Sequence, residues 1–336
     1  MSLRRYLFRR LLFLVPLLWG ITLITFIMMR VLPPNPVYLL AGIHATPETI
    51  QAITQEFGLD KPLHTQYAIY ISRLVRGDLG VSFRTGNPVL ADLGARFPAT
   101  FELVTLAFVV AVLFGVTLGL AVALRRGGLD QVAGVFSSIG VATPSFWLGL
   151  VFIYVFFYRL RILPGPEGRL ALGMTAPPHV TGLFVVDSLL MRDWTVFRSA
   201  VLHLVLPVLT LGLVVAAPLV SITRAAAAEV LGSDFIWYAR AMGLPARTVR
   251  AYTLRNALLP VVTVVGVLYS RLLGGVVLTE TIFSWNGVSQ YAVESLYRSD
   301  FNGVQGFTLL MALISVVVYL VVDLLYVALD PRITYA

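Results

Sequence analysis

The chain has no cysteine, and only one of its 25 basic residues is a lysine; the other 24 are arginine. Without cysteine there are no disulfides, thiolate metal sites or cysteine nucleophiles. The lone lysine, Lys61, stands before proline in "GLDKPLH". A G-x-x-x-x-G-K-[ST] phosphate loop is therefore missing, and the chain does not hydrolyse ATP by that route. Histidine is scarce as well: His44, His64, His179 and His203 are scattered without ligand spacing, which argues against a metal site. Charge is the largest deficit, at 12% of residues against roughly a quarter in soluble domains. What fills the gap is apolar: 58% of residues are hydrophobic and the mean hydropathy is +0.86, a composition suited to a bilayer. The net charge of +8 would ordinarily suggest nucleic acid. Here the arginines lie mainly between apolar runs, which fits positively charged cytoplasmic loops and no nucleic-acid partner.

A transmembrane helix needs about 20 mostly apolar residues. Six stretches qualify, at 11–30, 99–124, 133–158, 200–223, 258–280 and 307–329. The first follows "RRYLFRR", but its apolar run is longer than a signal-peptide core and no small-x-small site follows, so it reads as an uncleaved span. With the N-terminus inside, the pieces 1–10, 125–132, 224–257 and 331–336 hold twelve basic residues. The short outer loops, 159–199 and 281–306, hold six, five of them in 159–199. The balance places both termini in the cytoplasm, although the 159–199 loop is unusually basic for an outer one.

Residues 31–98 read as an extracytoplasmic insertion. "TPETIQAITQEFGLD" has a helix-start pattern, with Thr46 as N-cap, Pro47 at the first helical position and Glu48 after it. This insertion serves either as a docking face or as packing material. The chain divides into 1–98, the first helix with its insertion, and 99–336, a five-helix core. Prolines within spans (Pro16, Pro144, Pro207, Pro218) free backbone carbonyls, which suits either a cavity between moving bundles or kinks for packing alone.

Between two of the apolar runs lies "RAAAAEVLGSDFIWYARAMGLPARTVRAYTLRNALLP". An alanine-rich run of good helix propensity ends at Gly243, Pro245 opens a second helix in its first turn, and Pro260 leads into the next span. Arg240, Arg247, Arg250 and Arg255 surround the corner, and small residues Ala239, Ala241 and Gly243 allow close approach of another surface. Two readings are open: a rigid knob that passes force from a partner into the membrane, or an interfacial connector that holds anionic lipid headgroups.

These residues resemble the EAA-type loop of ABC importer permeases, in the version of the dipeptide, oligopeptide and nickel family. Ala239, Arg240, Ala241, Gly243 and Leu244 match its first half and Leu254 to Pro260 its second. "FGLDKP", "GDLGVSF", "TPSFWLG", "HLVLPVLTLG", "LTETIFSWNG" and "VDLLYVALDPRI" look like further landmarks, in order, over nearly the whole chain, closest to the first permease subunit of dipeptide importers. Two departures stand out: Pro33-Pro34-Asn35-Pro36 where the family has Pro-Gly-Asp-Pro, and Tyr238 with no literal Glu-Ala-Ala ahead of Ala239. The resemblance implies an all-α polytopic protein of the bacterial inner membrane with the type I ABC importer permease fold. It also implies half of a translocation pore completed by a related second permease, and no catalytic site on this chain. Two ATPase subunits would bind ATP and Mg, and an extracytoplasmic binding protein would deliver the substrate. It further implies ATPase coupling through Tyr238, Ala239, Arg240, Ala241, Gly243, Leu244 and Arg247. Dipeptides or short oligopeptides are the expected cargo, with nickel chelates, glutathione or other small solutes as alternatives.

Charges inside spans are costly and need partners or water. Arg271 lies roughly 16 Å along a helix beyond Pro260 and faces either the translocation path, where a guanidinium suits a substrate carboxylate, or an acid such as Asp323. Glu280 and Asp323 are further candidates for the path, with an architectural role as the alternative. Glu102 begins the second span and is expected in the headgroup zone; His203 is expected to be a packing histidine. A secondary transporter or channel would want inverted repeats or an ion relay of several carboxylates and histidines. A membrane enzyme would want a catalytic cluster at one face. The chain offers neither pattern.

Overall fold

The computed structural model describes residues 3–31, 46–56, 60–125 and 127–329. The Pro33–Pro36 corner and residues 330–336 lie outside the described residues, as does the side chain of Asp323. Thirteen α-helices and one π-helical turn form the regular structure of the described residues, with a lone antiparallel bridge between Val81 and Pro88. In chain order they are α1 (Leu3–Val31), α2 (Pro47–Glu56), α3 (Leu63–Val75), α4 (Val89–Leu124), α5 (Gly128–Ala142), α6 (Ser145–Phe152) and the π turn Ile153–Arg159. There follow α7 (Phe184–Leu190), α8 (Trp194–Leu231), α9 (Asp234–Ala241), α10 (Ala246–Gly275), α11 (Val277–Ile282), α12 (Val288–Tyr297) and α13 (Phe301–Leu329).

Three helices, α4, α8 and residues 301–322 of α13, are long and apolar enough to cross a membrane. Two bent pairs raise the number to five if each counts as one crossing. The first expected span, 11–30, falls on α1, whose described apolar part is Leu12–Met28. The stretch at 133–158, expected as one span, is broken. A 107° bend separates α5 from α6 and the π turn. Pro144 excludes Thr143 from the helical region, and both are extended, at ψ 122° and 134°. The second bend, 47° in α10, falls at Pro260, whose ring and missing N–H interrupt the helical hydrogen-bond ladder.

The chain packs as two units. One comprises the described residues between 3 and 97 together with 287–316. There α3 covers α1: the hydroxyls of Thr22 and Tyr67 lie 3.0 Å apart, and Phe26 meets Tyr67 and Tyr70 ring to ring. Val89, Leu93, Val288 and Tyr291 form its buried core. Around Tyr291, Arg84 and Arg96 lie over the ring at 5.1 and 5.4 Å, and Arg84 pairs with Glu294 at 2.9 Å.

The other unit comprises the described residues of 98–286 and 317–329 and is organised around α8, two thirds of whose apolar window is buried. Small residues let neighbours approach it closely. Gly115 and Gly119 on α4, a G-x-x-x-G pair, face Leu219 and Thr223; a methyl group on either glycine would stand 2.6 or 2.7 Å from the opposing Cβ. On α5, Gly140 meets Ala217 so closely that its own Cβ would lie 2.4 Å away.

Candidate functional site

The corner at 242–245 is set by backbone geometry. The Gly243 N–H donates to the Arg240 carbonyl at 3.0 Å and the Leu244 N–H to the Ala239 carbonyl at 3.1 Å. This pair of bonds is a Schellman motif, and it needs a left-handed residue after the helix; Gly243 supplies it at φ +73°. Pro245 sits one residue earlier than expected, as the extended N-cap of α10 at ψ 145°, and its carbonyl accepts from Thr248 and Val249. Helix, left-handed glycine, leucine and proline thus set the local turn between α9 and α10.

What the corner presents is apolar and aromatic. Helix α9 is anchored through buried Ile236 and Ala239, so Ala239 turns inward rather than lining the surface where sequence reasoning put it. Trp237 and Tyr238 are 72% and 61% exposed, and Phe235, Met242 and Leu244 join them on the outside. Arg240, Ala241, Gly243 and Arg247 are exposed as well. Behind the corner, a cleft of about 750 Å³ is lined by Arg125, Arg240 and Arg250 together with Leu120, Leu124 and Leu244. Beneath it Ala123, Ala226, Ala227 and Ala257 pack together, which accounts for the alanine run: methyl side chains bring α4, α8 and α10 close. Arg224 pairs with Asp130, so the short basic loop at 125–130 and the 224–257 segment meet at one end of this unit.

Arg271 lines a second cavity of about 290 Å³ with Val141, Ser145, Pro218, Leu268 and Gly275. The elbow between α5 and α6 therefore forms one wall and a proline of α8 another. The Arg271 side chain is exposed, and among the described residues no carboxylate pairs with it. Glu280 is not brought to this cavity. It is wholly buried, with Oε1 accepting the Thr100 hydroxyl at 2.5 Å, while its carbonyl accepts the Trp285 N–H. Trp285 in turn donates its indole N–H to the Ala99 carbonyl at 2.9 Å, so Glu280 ties α11 to the α4 helix.

Sequence reasoning missed a polar cluster near residues 99–102 and 159–199. Glu102, expected near the headgroup zone, is buried within the protein. It accepts from Arg169 at 2.7 Å and from the N–H groups of Phe184 and Val185, capping α7 from another helix. Asp187 accepts from the Thr181 hydroxyl and from the N–H groups of Val180, Thr181 and Gly182. Burial alone would push its carboxyl up, but these donors outweigh it and hold it below the usual carboxylate range. Nothing in residue spacing pointed to the Glu102–Arg169 pair, 67 positions apart; the only signal was an acid and an arginine in a chain poor in charge. His203 is buried as expected, its Nδ1–H directed at the Ser199 carbonyl 2.8 Å away.

A helical chain with several membrane-length apolar helices, and an exposed aromatic corner between the short α9 and the long α10, has the form of an integral membrane protein. Residues 112–335 match the family described as "Binding-protein-dependent transport system inner membrane component", and residues 3–104 match its N-terminal counterpart. The chain belongs to this family and is a permease component of the bacterial inner membrane. It is 44% identical over 322 residues to the probable D,D-dipeptide transport system permease protein DdpB of Escherichia coli, covering 95% of this chain and 94% of the relative. It is 41% identical to the di/tripeptide permease DppB of Pseudomonas aeruginosa, over 97% and 98% of the two chains. The dipeptide permease DppB of Escherichia coli is 38% identical over 98% of this chain and 99% of its own.

Proposed function

We propose that this chain forms half of the pore of an ATP-binding-cassette importer for dipeptides or short oligopeptides. The relatives named for D,D-dipeptide, di/tripeptide and dipeptide transport, each aligned over nearly the full length, support the cargo. The observation that carries the mechanism is the Schellman corner: a conformationally fixed knob whose exposed face holds Phe235, Trp237, Tyr238, Met242 and Leu244. In this reading two ATPase subunits, which hold ATP and Mg, grip that knob and rock the helices behind it, with Tyr238, Ala239, Arg240, Ala241, Gly243, Leu244 and Arg247 as the coupling segment. A related second permease completes a heterodimeric pore, and an extracytoplasmic binding protein delivers the substrate. Six spans with both termini in the cytoplasm fit this scheme; the meeting of 125–130 with 224–257 supports one shared face for those two loops.

Arg271 is the candidate cargo contact. A guanidinium with no acidic partner among the described residues, in a mostly apolar cavity at a helix elbow, suits a peptide carboxylate. Glu280 and Asp323 complete the proposed path set, Glu280 acting through the packing of α11 on α4.

The test is co-purification of the tagged chain from its native membrane, with an ATPase assay of what accompanies it. Wild type is expected to bring down an ATPase, and Gly243→Glu to lose it or its stimulation by substrate. If no ATPase associates and vesicle uptake follows an ion gradient, the proposal fails and a secondary transporter takes its place.

A further inference from the structure

The basic outer loop finds a use in a cleft of about 560 Å³ that the import mechanism leaves idle. Arg161 follows the π turn, Arg198 lies on the first turns of α8, and both line the cleft with Trp194 and His203. Of the other arginines in 159–199, Arg169 is taken by Glu102, while Arg161 and Arg198 have no acidic partner among the described residues. The nearest acid in sequence, Asp193, is used as the N-cap of α8, accepting from the N–H groups of Thr195 and Val196. His203 is 6% exposed, with Nδ1 directed at the Ser199 carbonyl and Nε2 unpartnered. Neutral histidine in that tautomer offers an acceptor at Nε2. The cleft therefore carries two arginines with no acidic partner among the described residues, beside a buried histidine.

Its surroundings are apolar and exposed. Leu160 and Ile162, on either side of Arg161, are more than half exposed, as are Trp194 and the stacked pair Tyr154 and Tyr158. Exposed tryptophan, tyrosine and aliphatic side chains beside arginine make up the residue set of a membrane interface. Outer loops ordinarily avoid arginine, so a pair left without acids calls for an anion on that side.

We infer that this cleft binds the headgroup of an anionic phospholipid, phosphatidylglycerol being the simplest, with its phosphate between Arg161 and Arg198. The side of the membrane follows from the importer reading; the chemistry of the cleft does not depend on it.

The experiment is native mass spectrometry of the full-length chain in detergent, titrated with phosphatidylglycerol, phosphatidylethanolamine, glycerol phosphate or a dipeptide. Wild type should retain phosphatidylglycerol in preference to phosphatidylethanolamine. Arg161→Gln and Arg198→Gln should each weaken it about fivefold, and together about 25-fold. Arg192→Gln, outside the cleft, should change nothing. The wild-type comparison between lipids needs no variant, so misfolding of a variant cannot hide the answer. Equal retention of the two lipids, equal binding of glycerol phosphate, displacement by the dipeptide, or an equal loss with Arg192→Gln would each overturn the inference. ATPase recovery is read separately, so failure of the lipid site and failure of the importer reading are distinguishable.

Discussion

Substitution of Gly243 isolates what the corner contributes. A Cβ built there meets nothing within 4 Å, so any cost comes from the backbone alone. A non-glycine residue at φ +73° costs roughly 1–2 kcal/mol, and asparagine less than alanine because its short polar side chain tolerates the left-handed region. That strain falls on two amides, Gly243 and Leu244, whose bonds to Arg240 and Ala239 define the turn. With Gly243→Ala, those amides should exchange with deuterium about 5 to 30 times faster than in wild type, the factor that one or two kcal/mol gives. Gly243→Asn should fall between the two. Peptides covering 239–250, followed in the purified chain, report this without any partner. Alanine as well protected as glycine, or asparagine no better than alanine, would refute the backbone argument and leave the corner held by other contacts. In the assembled importer the same order, glycine above asparagine above alanine, is expected for ATP-driven uptake.

Other positions yield further tests. Gly140→Ala drives a methyl into Ala217 and should lower stability by about 1–3 kcal/mol, read as the thermal midpoint in detergent; adding Ala217→Gly should restore most of it. Glu102→Gln leaves Arg169 buried without its counter-charge, and a loss of about 3–5 kcal/mol is expected, against a smaller loss when both are replaced by glutamine. Asp187 titrates below its unfolded value, so it stabilises the 180–187 turn at neutral pH, and that contribution disappears as pH falls below about 4. Amide exchange at Thr181 and Gly182, corrected for intrinsic rate, should accelerate in acid in wild type and lose that dependence in Asp187→Asn.

The corner was legible because each of its parts is local: a helix-forming run, a glycine, a leucine and a proline specify the turn within seven residues. The membrane character was legible for the same reason, as apolar length needs no knowledge of neighbours. The elbow at Thr143–Pro144 was not. A run of apolar residues records that a segment is buried in lipid or protein but carries no direction, and a proline within it is compatible with either a mild kink or a 107° break. Which occurs depends on what packs around it, and Gly140 against Ala217 holds α5 to α8 just before the break. Arg271 was legible as an anomaly, yet only the packing places it beside that elbow and apart from Glu280. The Gly115–Gly119 pair carried a readable signal, the G-x-x-x-G spacing, that a search for catalytic residues passes over.

Helix α8 runs unbroken from its Asp193 cap to Leu231, 38 residues or about 57 Å, well beyond the thickness of a hydrocarbon layer. Its first turns border the Arg161–Arg198 cleft and its last lie two residues from α9. A rod of that length, pivoting near its middle, converts a tilt of a few degrees into ångströms at either tip, in opposite directions. Work delivered at one tip by a nucleotide-driven partner and tension applied at the other by lipid would then act on the same lever. The membrane's composition would enter the transport rate as a load on that lever, without touching the path the peptide takes.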